Sequence, residues 1–230
     1  MMEASKVRRR FLDREKRSAL LLISIVLLFV LAPLLEGYAT GGLLLILNLY
    51  VTLVTAASEL AERRAVFWIA IPVAILSMIL VLASHYNSTW ALLFANYLVL
   101  AAFLMLVSGS LFFYLGQQGQ IITRGRILVS VSLYFLLGLT WFALYNLINL
   151  VQPGSFAEAG TPLTGVVHWS TMLYFSLVTL TTLGYGDIVA VRPTARMIAT
   201  LEAAAGVLYI AITVARLISA QGSSNEQDSH

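Results

Sequence analysis

The chain has 230 residues, of which 60% are hydrophobic and 11% charged, where a soluble domain carries about a quarter charged residues. That composition excludes an ordinary soluble enzyme or binding module and points to a membrane protein. Cysteine is absent, so no disulfide or thiolate metal site is available, and the net charge of +3 matters less than where the basic residues sit.

A hydrocarbon core needs roughly 20 apolar helical residues to cross it, and charge-free runs of about that length predict six spans. Lys6, Arg8, Arg9, Arg10, Arg14, Lys16 and Arg17 precede the first, which lies between Arg17 and Glu36. By the positive-inside rule that end is cytoplasmic. The cluster reads as a topology anchor meeting anionic headgroups, and no nucleic-acid partner is expected. The first run has no small-residue cleavage site after a short apolar core, so it reads as a retained span. The second lies between Glu36 and Glu59 and the third between Arg64 and His85. The fourth, near Trp90 to Leu115, falls in a stretch from Tyr86 to Thr123 without any ionisable Lys, Arg, Asp, Glu or His. The fifth runs from Ile127 to about Leu150. The sixth, Arg196 to Ser219, contains Glu202, a carboxylate inside a span. In lipid such runs are helices, because each backbone group must be satisfied within its own segment.

Six crossings place Arg63, Arg64, Arg124, Arg126 and Arg216 inside. The outer loops, Glu36 to Gly42, His85 to Thr89 and Leu150 to Val166, contain no Lys or Arg, and Arg192 and Arg196 alone break the pattern. Both termini are therefore expected in the cytoplasm, with the chain integral to the plasma (cell inner) membrane. The expected organisation is a basic N-terminus over 1–17, a four-helix membrane domain over 18–118, a cytoplasmic linker over 119–126, a helix–loop–helix module over 127–220 and a disordered polar tail over 221–230. That tail leaves no room for a cytoplasmic ligand-binding domain. Glu59 and Glu62 read as a solvated cluster beside Arg63 and Arg64. Asn87-Ser88-Thr89 matches a glycosylation pattern in a loop so short that coincidence is the better reading.

Between spans five and six, His168 to Leu180 is apolar and rich in Ser and Thr but too short to cross, which predicts a re-entrant helix that returns as irregular chain. Such backbone survives at membrane depth only if it is buried in protein or lines a watery cavity. The returning segment is TTLGYGD, residues 181–187. Gly184 and Gly186 accept left-handed dihedrals without Cβ strain, which lets carbonyls turn to one side, with Leu183 and Tyr185 projecting away and packing behind. Four such lines around an axis would form cages of oxygen able to replace a cation's hydration shell.

Thr181-Thr182-Leu183-Gly184-Tyr185-Gly186-Asp187 closely resembles the selectivity filter of the potassium-channel family, a standard case of carbonyl-based selectivity, with Leu183 where the commonest form has Val. The resemblance covers spans five and six with the loop between them. It implies an all-α polytopic membrane protein with six transmembrane helices, a re-entrant pore helix and a selectivity filter between helices 5 and 6, assembled as a homotetramer. It implies K⁺ coordination by Thr182, Leu183, Gly184, Tyr185 and Gly186, with filter support from Thr181, Asp187, Tyr174 and Val178. Tyr174 stands where relatives have a Trp that donates to the Asp, and Val178 where some two-helix relatives have a Glu paired with it. Gly206 has the spacing of an inner-helix hinge, although close helix packing serves equally well for a Gly. Val207, Ile210, Ala211 and Val214 share its cavity-side register. Glu202 reads either as a functional carboxylate or as a structural contact to the re-entrant helix.

Six spans resemble the layout of voltage-gated channels, yet the fourth carries none of the Arg or Lys a voltage sensor requires. The expected activity is passive K⁺-selective permeation with little voltage dependence. K⁺ is the permeant ion, the bilayer and further copies of the chain are the partners, and no cofactor is expected. A poorly selective cation pore and a non-conducting regulatory subunit remain alternatives. Arg192 would ring the outer mouth. His168 could sense external protons, but an interface histidine is the commoner role. With no catalytic dyad, metal cluster or phosphate loop in the sequence, no enzyme is expected.

Overall fold

The computed structural model describes residues 2–35, 38, 41–59, 64–87, 89–116, 123–165 and 167–227, with side chains from Glu15 to Arg216 except 64–67 and 85. The side chains of Lys6 to Arg14, residues Glu36, Glu62, Arg63 and Ser88, linker residues 119–122 and tail residues 228–230 lie outside the described set. Among the described residues the chain forms seven helices. These are α1 (Met2–Leu35), α2 (Gly41–Glu59), α3 (Arg64–Tyr86), α4 (Trp90–Leu115), α5 (Arg124–Val151), α6 (Trp169–Leu180) and α7 (Pro193–Gln227). The apolar runs are helical because only intra-segment hydrogen bonds satisfy a backbone in lipid.

Five segments are long and apolar enough to cross a membrane: Glu15–Leu35, Gly41–Glu59, Trp90–Leu115, Arg124–Val151 and Pro193–Arg216. The apolar stretch Trp68–Ser84 of α3 is shorter, and Pro72 lies within that helix.

Helix α5 is the hub, in contact with α1, α4, α6 and α7. It runs antiparallel to α4 and is tied to it at both ends. Trp90 Nε1 donates to the Leu150 carbonyl at 3.2 Å, and Arg126 Nη2 donates to the Leu115 carbonyl at 3.2 Å. Between these ties Leu100, Leu104, Val107 and Leu111 of α4 are buried at helical spacing, the stripe that a helix presents to its neighbour. Arg216 of α7 stands 5.6 Å over the Phe112 ring, so two cations meet the negative end of the α4 dipole. The N-terminal helices thus lie against the C-terminal half of their own chain, through α1 and α4.

Three readings change. Arg124 to Arg126 are the first turn of α5 and not linker, because Thr123 accepts from the Arg126 amide at 3.4 Å and caps the helix there. Helix α7 continues to Gln227 through most of the tail expected to be disordered; once a helix is nucleated, each added residue contributes a hydrogen bond, and no Pro interrupts this stretch. Glu59 is buried, not solvated, and accepts from Ser18 Oγ at 3.1 Å.

The segments on either side of α6 also hold strands that the sequence reading did not anticipate. β1 (Phe156–Glu158), β2 (Thr161–Pro162) and β3 (Ile188–Ala190) form a sheet in the order β2-β1-β3, both pairings antiparallel. Ala159 (φ 46) and Gly160 (φ 81) close the β1–β2 hairpin with the two left-handed residues of a two-residue primed turn. An L-residue is strained there by about 1–2 kcal/mol. Ala159→Gly is therefore expected to raise the thermal unfolding midpoint and Gly160→Val to lower it, both measurable by differential scanning fluorimetry.

Candidate functional site

Residues 181–187 leave the C-terminal end of α6 and re-enter regular structure at β3. Their amides turn back on the helix. Thr181 N donates to Leu177 O at 3.0 Å, Thr182 N to Thr179 O at 2.9 Å, and Leu183 N and Gly184 N to Val178 O at 2.9 and 3.3 Å. The carbonyls that end α6 are thereby satisfied, as helix termini require. Among the described residues no amide donates to the carbonyls of Thr182, Leu183, Gly184, Tyr185 or Gly186.

The dihedrals alternate. Thr182 (φ 58), Gly184 (φ 58) and Gly186 (φ 80) are left-handed, while Leu183 and Tyr185 are not. This alternation departs from an ordinary strand, in which successive residues face opposite ways. Glycine supplies the conformation freely at two of the three positions; Thr182 is a non-glycine in the same region, which the sequence did not reveal. All seven residues are exposed in the single chain. Leu183 and Tyr185, at 56% and 67%, do not pack behind the segment within one chain. Tyr185 instead lies parallel to the Tyr174 ring, with centroids 6.4 Å apart.

Two anchors hold the outer end. Tyr174 Oη donates to Asp187 Oδ2 at 2.7 Å, and that bond, with the Ile188 amide at 3.0 Å on the other oxygen, holds the Asp187 carboxyl below the usual carboxylate range. The sheet is the second anchor. β3 pairs with β1, the Ala159 amide donates to Asp187 O at 2.9 Å and the Val191 amide to Ser155 O at 2.8 Å. Arg192 Nη2 donates to Pro153 O at 3.3 Å and Arg196 Nε to Ala190 O at 3.2 Å, so both cations outside the expected topology brace this outer loop. His168 occupies the N-cap position of α6.

The inner end rests on close contacts. A Cβ built on Gly206 would overlap the Leu180 carbonyl oxygen, to which Tyr134 Oη also donates at 3.1 Å. Gly206 is thus a close-packing residue where α7 crosses the end of α6. Val207, Ile210, Ala211 and Val214 are exposed on the single chain. Glu202 does not share that surface. It is fully buried, accepting from Tyr145 Oη of α5 and bonded to Ser176 Oγ of α6 at 2.6 Å. Glu202 thereby joins α7 to α5 and α6. Tyr145, Ser176 and Tyr134 were not singled out from the sequence. The available signal was a polar tip inside an apolar span, which burial obliges to find a partner.

Residues 130–221 match a family model described as an ion channel. Over 88 residues the chain is 34% identical to the inward rectifier potassium channel Kirbac3.1 of Paramagnetospirillum magnetotacticum, covering 38% of this chain and 24% of that protein. Over 76 residues it is 34% identical to the potassium voltage-gated channel protein shk-1 of Caenorhabditis elegans, covering 33% of this chain and 14% of that protein. The pore half resembles potassium channels. Both likenesses are to channels and neither is to an enzyme. The chain spans a quarter or less of the length of these curated relatives, and no solved structure matches it.

Two outcomes are expected. Gly206→Ala forces α7 away from Leu180 and destabilises the fold by about 1–3 kcal/mol, the cost of overpacking a filled site, read as a lower unfolding midpoint. Asp187 has a lowered folded pKa, so its contribution is present above the ordinary carboxylate value of about 3.9 and is lost as pH falls through the lowered one. The midpoint difference between wild type and Tyr174→Phe should be constant near neutrality and shrink in acid; a difference that persists in acid would contradict the assignment.

Proposed function

We propose that the chain forms a K⁺-selective channel in which four copies surround one axis. In this reading α6 is the re-entrant pore helix, and the carbonyls of Thr182, Leu183, Gly184, Tyr185 and Gly186 line the path and replace the hydration shell of K⁺. The observation that carries it is the asymmetry of the 181–187 backbone. Its first amides are bonded back to α6, while five successive carbonyls have no amide partner among the described residues. A run of unpartnered oxygens at membrane depth is tolerated where it lines a cavity and meets a cation. The similarity of residues 130–221 to ion channels and the potassium named for both relatives support the same reading.

The tetramer follows from the need for several such lines around an ion. Two features agree with it: α7 is the least buried of the five candidate spans, and Leu183, Tyr185, Val207, Ile210 and Val214 remain exposed on one chain. In the same reading both termini face the cytoplasm of a plasma (cell inner) membrane, an orientation that the placement of the basic residues supports, and α3 provides the sixth crossing. Because α4 contains no Lys or Arg, the channel opens with little voltage dependence, each charge moved through 100 mV being worth only about 2.3 kcal/mol.

The test is ion flux into liposomes holding the purified protein. A K⁺ gradient should drive flux that Na⁺ does not support and that Gly186→Ser abolishes, since an L side chain is strained at φ 80. Equal K⁺ and Na⁺ flux would favour the poorly selective pore, and none from an intact tetramer the non-conducting subunit. Arg192 lies exposed near the outer end, and Arg192→Ala should raise inward conductance at low salt, where surface charge is least screened; an unchanged salt dependence would dispose of that role.

A further inference from the structure

A row of oxygens crosses the three helices of the pore half. Tyr145 Oη on α5 is hydrogen-bonded to Oε2 of Glu202 on α7. Oε1 of the same carboxyl lies 2.6 Å from Ser176 Oγ on α6, and Ser176 Oγ lies 2.8 Å from the Gly138 carbonyl oxygen, back on α5. Glu202 and Ser176 are both 0% exposed, so water does not interrupt the row. Gly138 packs close to α6: a Cβ built there would stand 3.1 Å from Leu177 Cδ2.

Each of the three contacts needs one hydrogen, and the hydrogens can be counted. Tyr145 supplies one and Ser176 supplies one; a backbone carbonyl supplies none. The Tyr145 hydrogen is committed to Oε2. Ser176 can donate to Oε1 or to Gly138 O, but a hydroxyl with a single hydrogen cannot serve both. If Glu202 were a carboxylate, one of these contacts would bring two lone pairs together at hydrogen-bond distance with nothing between them. The partners of Glu202 among the described residues are hydroxyls only. The nearby Tyr134 donates to Leu180 O, and no Lys, Arg or His is bonded to Glu202 among the described residues.

We propose that Glu202 carries a proton on Oε1 and works as a hydrogen-bond donor that positions the re-entrant helix. The count then closes: Tyr145 O–H donates to Oε2, Oε1–H donates to Ser176 Oγ, and Ser176 O–H donates to Gly138 O. The row runs in one direction from α5 through α7 and α6 to α5 again, and it fixes α6 two residues before the Val178 carbonyl that receives the amides of Leu183 and Gly184. Glu202 is on this account a positioning residue that touches no ion. The proposal rests on the channel reading only in calling the segment so held a filter.

Neither readout of the test involves ion flux, so loss of flux counts against the channel reading and not against this one. The full-length protein in an ester-free detergent is compared with Glu202→Gln, Glu202→Ala and Tyr145→Phe. In Glu202→Gln the amide nitrogen replaces Oε1 and donates to Ser176, while the amide oxygen accepts from Tyr145, so the row is preserved and thermal stability should match wild type. Glu202→Ala leaves Tyr145 and Ser176 short of a partner. It should lower the folding equilibrium constant about tenfold or more, as one unsatisfied buried polar group does. The infrared difference between wild type and Glu202→Gln at neutral pH should contain the C=O stretch of a protonated carboxyl. Tyr145→Phe should shift that band to higher frequency by removing the donor to Oε2, which identifies the band even if both Glu202 variants fail to fold. A wild-type spectrum without a protonated-carboxyl band, a band indifferent to Tyr145→Phe, or Glu202→Gln as damaging as Glu202→Ala would overturn the proposal.

Discussion

A backbone that leaves helical geometry at membrane depth must find partners for its amides without help from water. The remaining features of the pore half follow from how this chain meets that requirement. The amides of residues 181–184 turn back onto the carbonyls that end α6, so one set of bonds caps the helix and satisfies the irregular segment together. The carbonyls that follow are left over. Bonding the amides of 181–184 while leaving the carbonyls of 182–186 without an amide partner among the described residues suits the segment to binding a cation, and it arises from local geometry before any ion or neighbouring chain is considered.

Such a segment, left-handed at Thr182, Gly184 and Gly186, belongs to no helix or strand and touches the rest of the chain through few side chains, Tyr185 on Tyr174 among them. Its position is set by what holds its ends. At the inner end, Gly206 lets α7 approach the Leu180 carbonyl, and Tyr134 donates to that same oxygen. At the outer end, Tyr174 bonds Asp187, and β3 leads the chain into a sheet with β1. The loop between α5 and α6 is therefore a clamp as well as a connection, since its hairpin and the backbone leaving residue 187 are parts of one sheet. Arg192 and Arg196, the two cations at odds with the charge topology, are held by carbonyls of this outer region.

The N-terminal helices reach the same core through α5. The α4–α5 pair is tied at both ends and α1 packs alongside, so the scaffold of the re-entrant helix extends beyond the module that resembles channels of known kind. The interior of that scaffold is mainly apolar but holds buried polar side chains on every helix of the N-terminal and C-terminal halves, among them Asn48, Ser77, Asn96, Asn146, Ser176 and Glu202. Three of the polar side chains beside α6 are bonded to another element: Tyr134 to Leu180, Tyr145 and Ser176 to Glu202. Polar contacts in an apolar interior are directional where apolar packing is not, which suits them to orienting a short helix.

By itself the sequence determined the apolar helices, because charge-free runs at spanning length leave the backbone no other way to satisfy itself. It also determined that α6 is too short to cross, because a span needs roughly 20 residues and α6 has twelve, and it placed a Gly-x-Gly pair after them. It did not disclose the left-handed Thr182, since nothing in a threonine's chemistry announces that conformation, nor the hairpin at Ala159-Gly160, whose turn lacks the usual Asn or Asp. It offered two roles for Glu202 and two for Gly206. The tertiary structure alone shows Glu202 bonded to α6 and Gly206 packed on the Leu180 carbonyl, because such contacts depend on which side chain or carbonyl of a distant segment lies within reach. Ser176 is 26 residues and Tyr145 57 residues from Glu202 along the chain, and a separation of that kind is closed by packing and not by local preference.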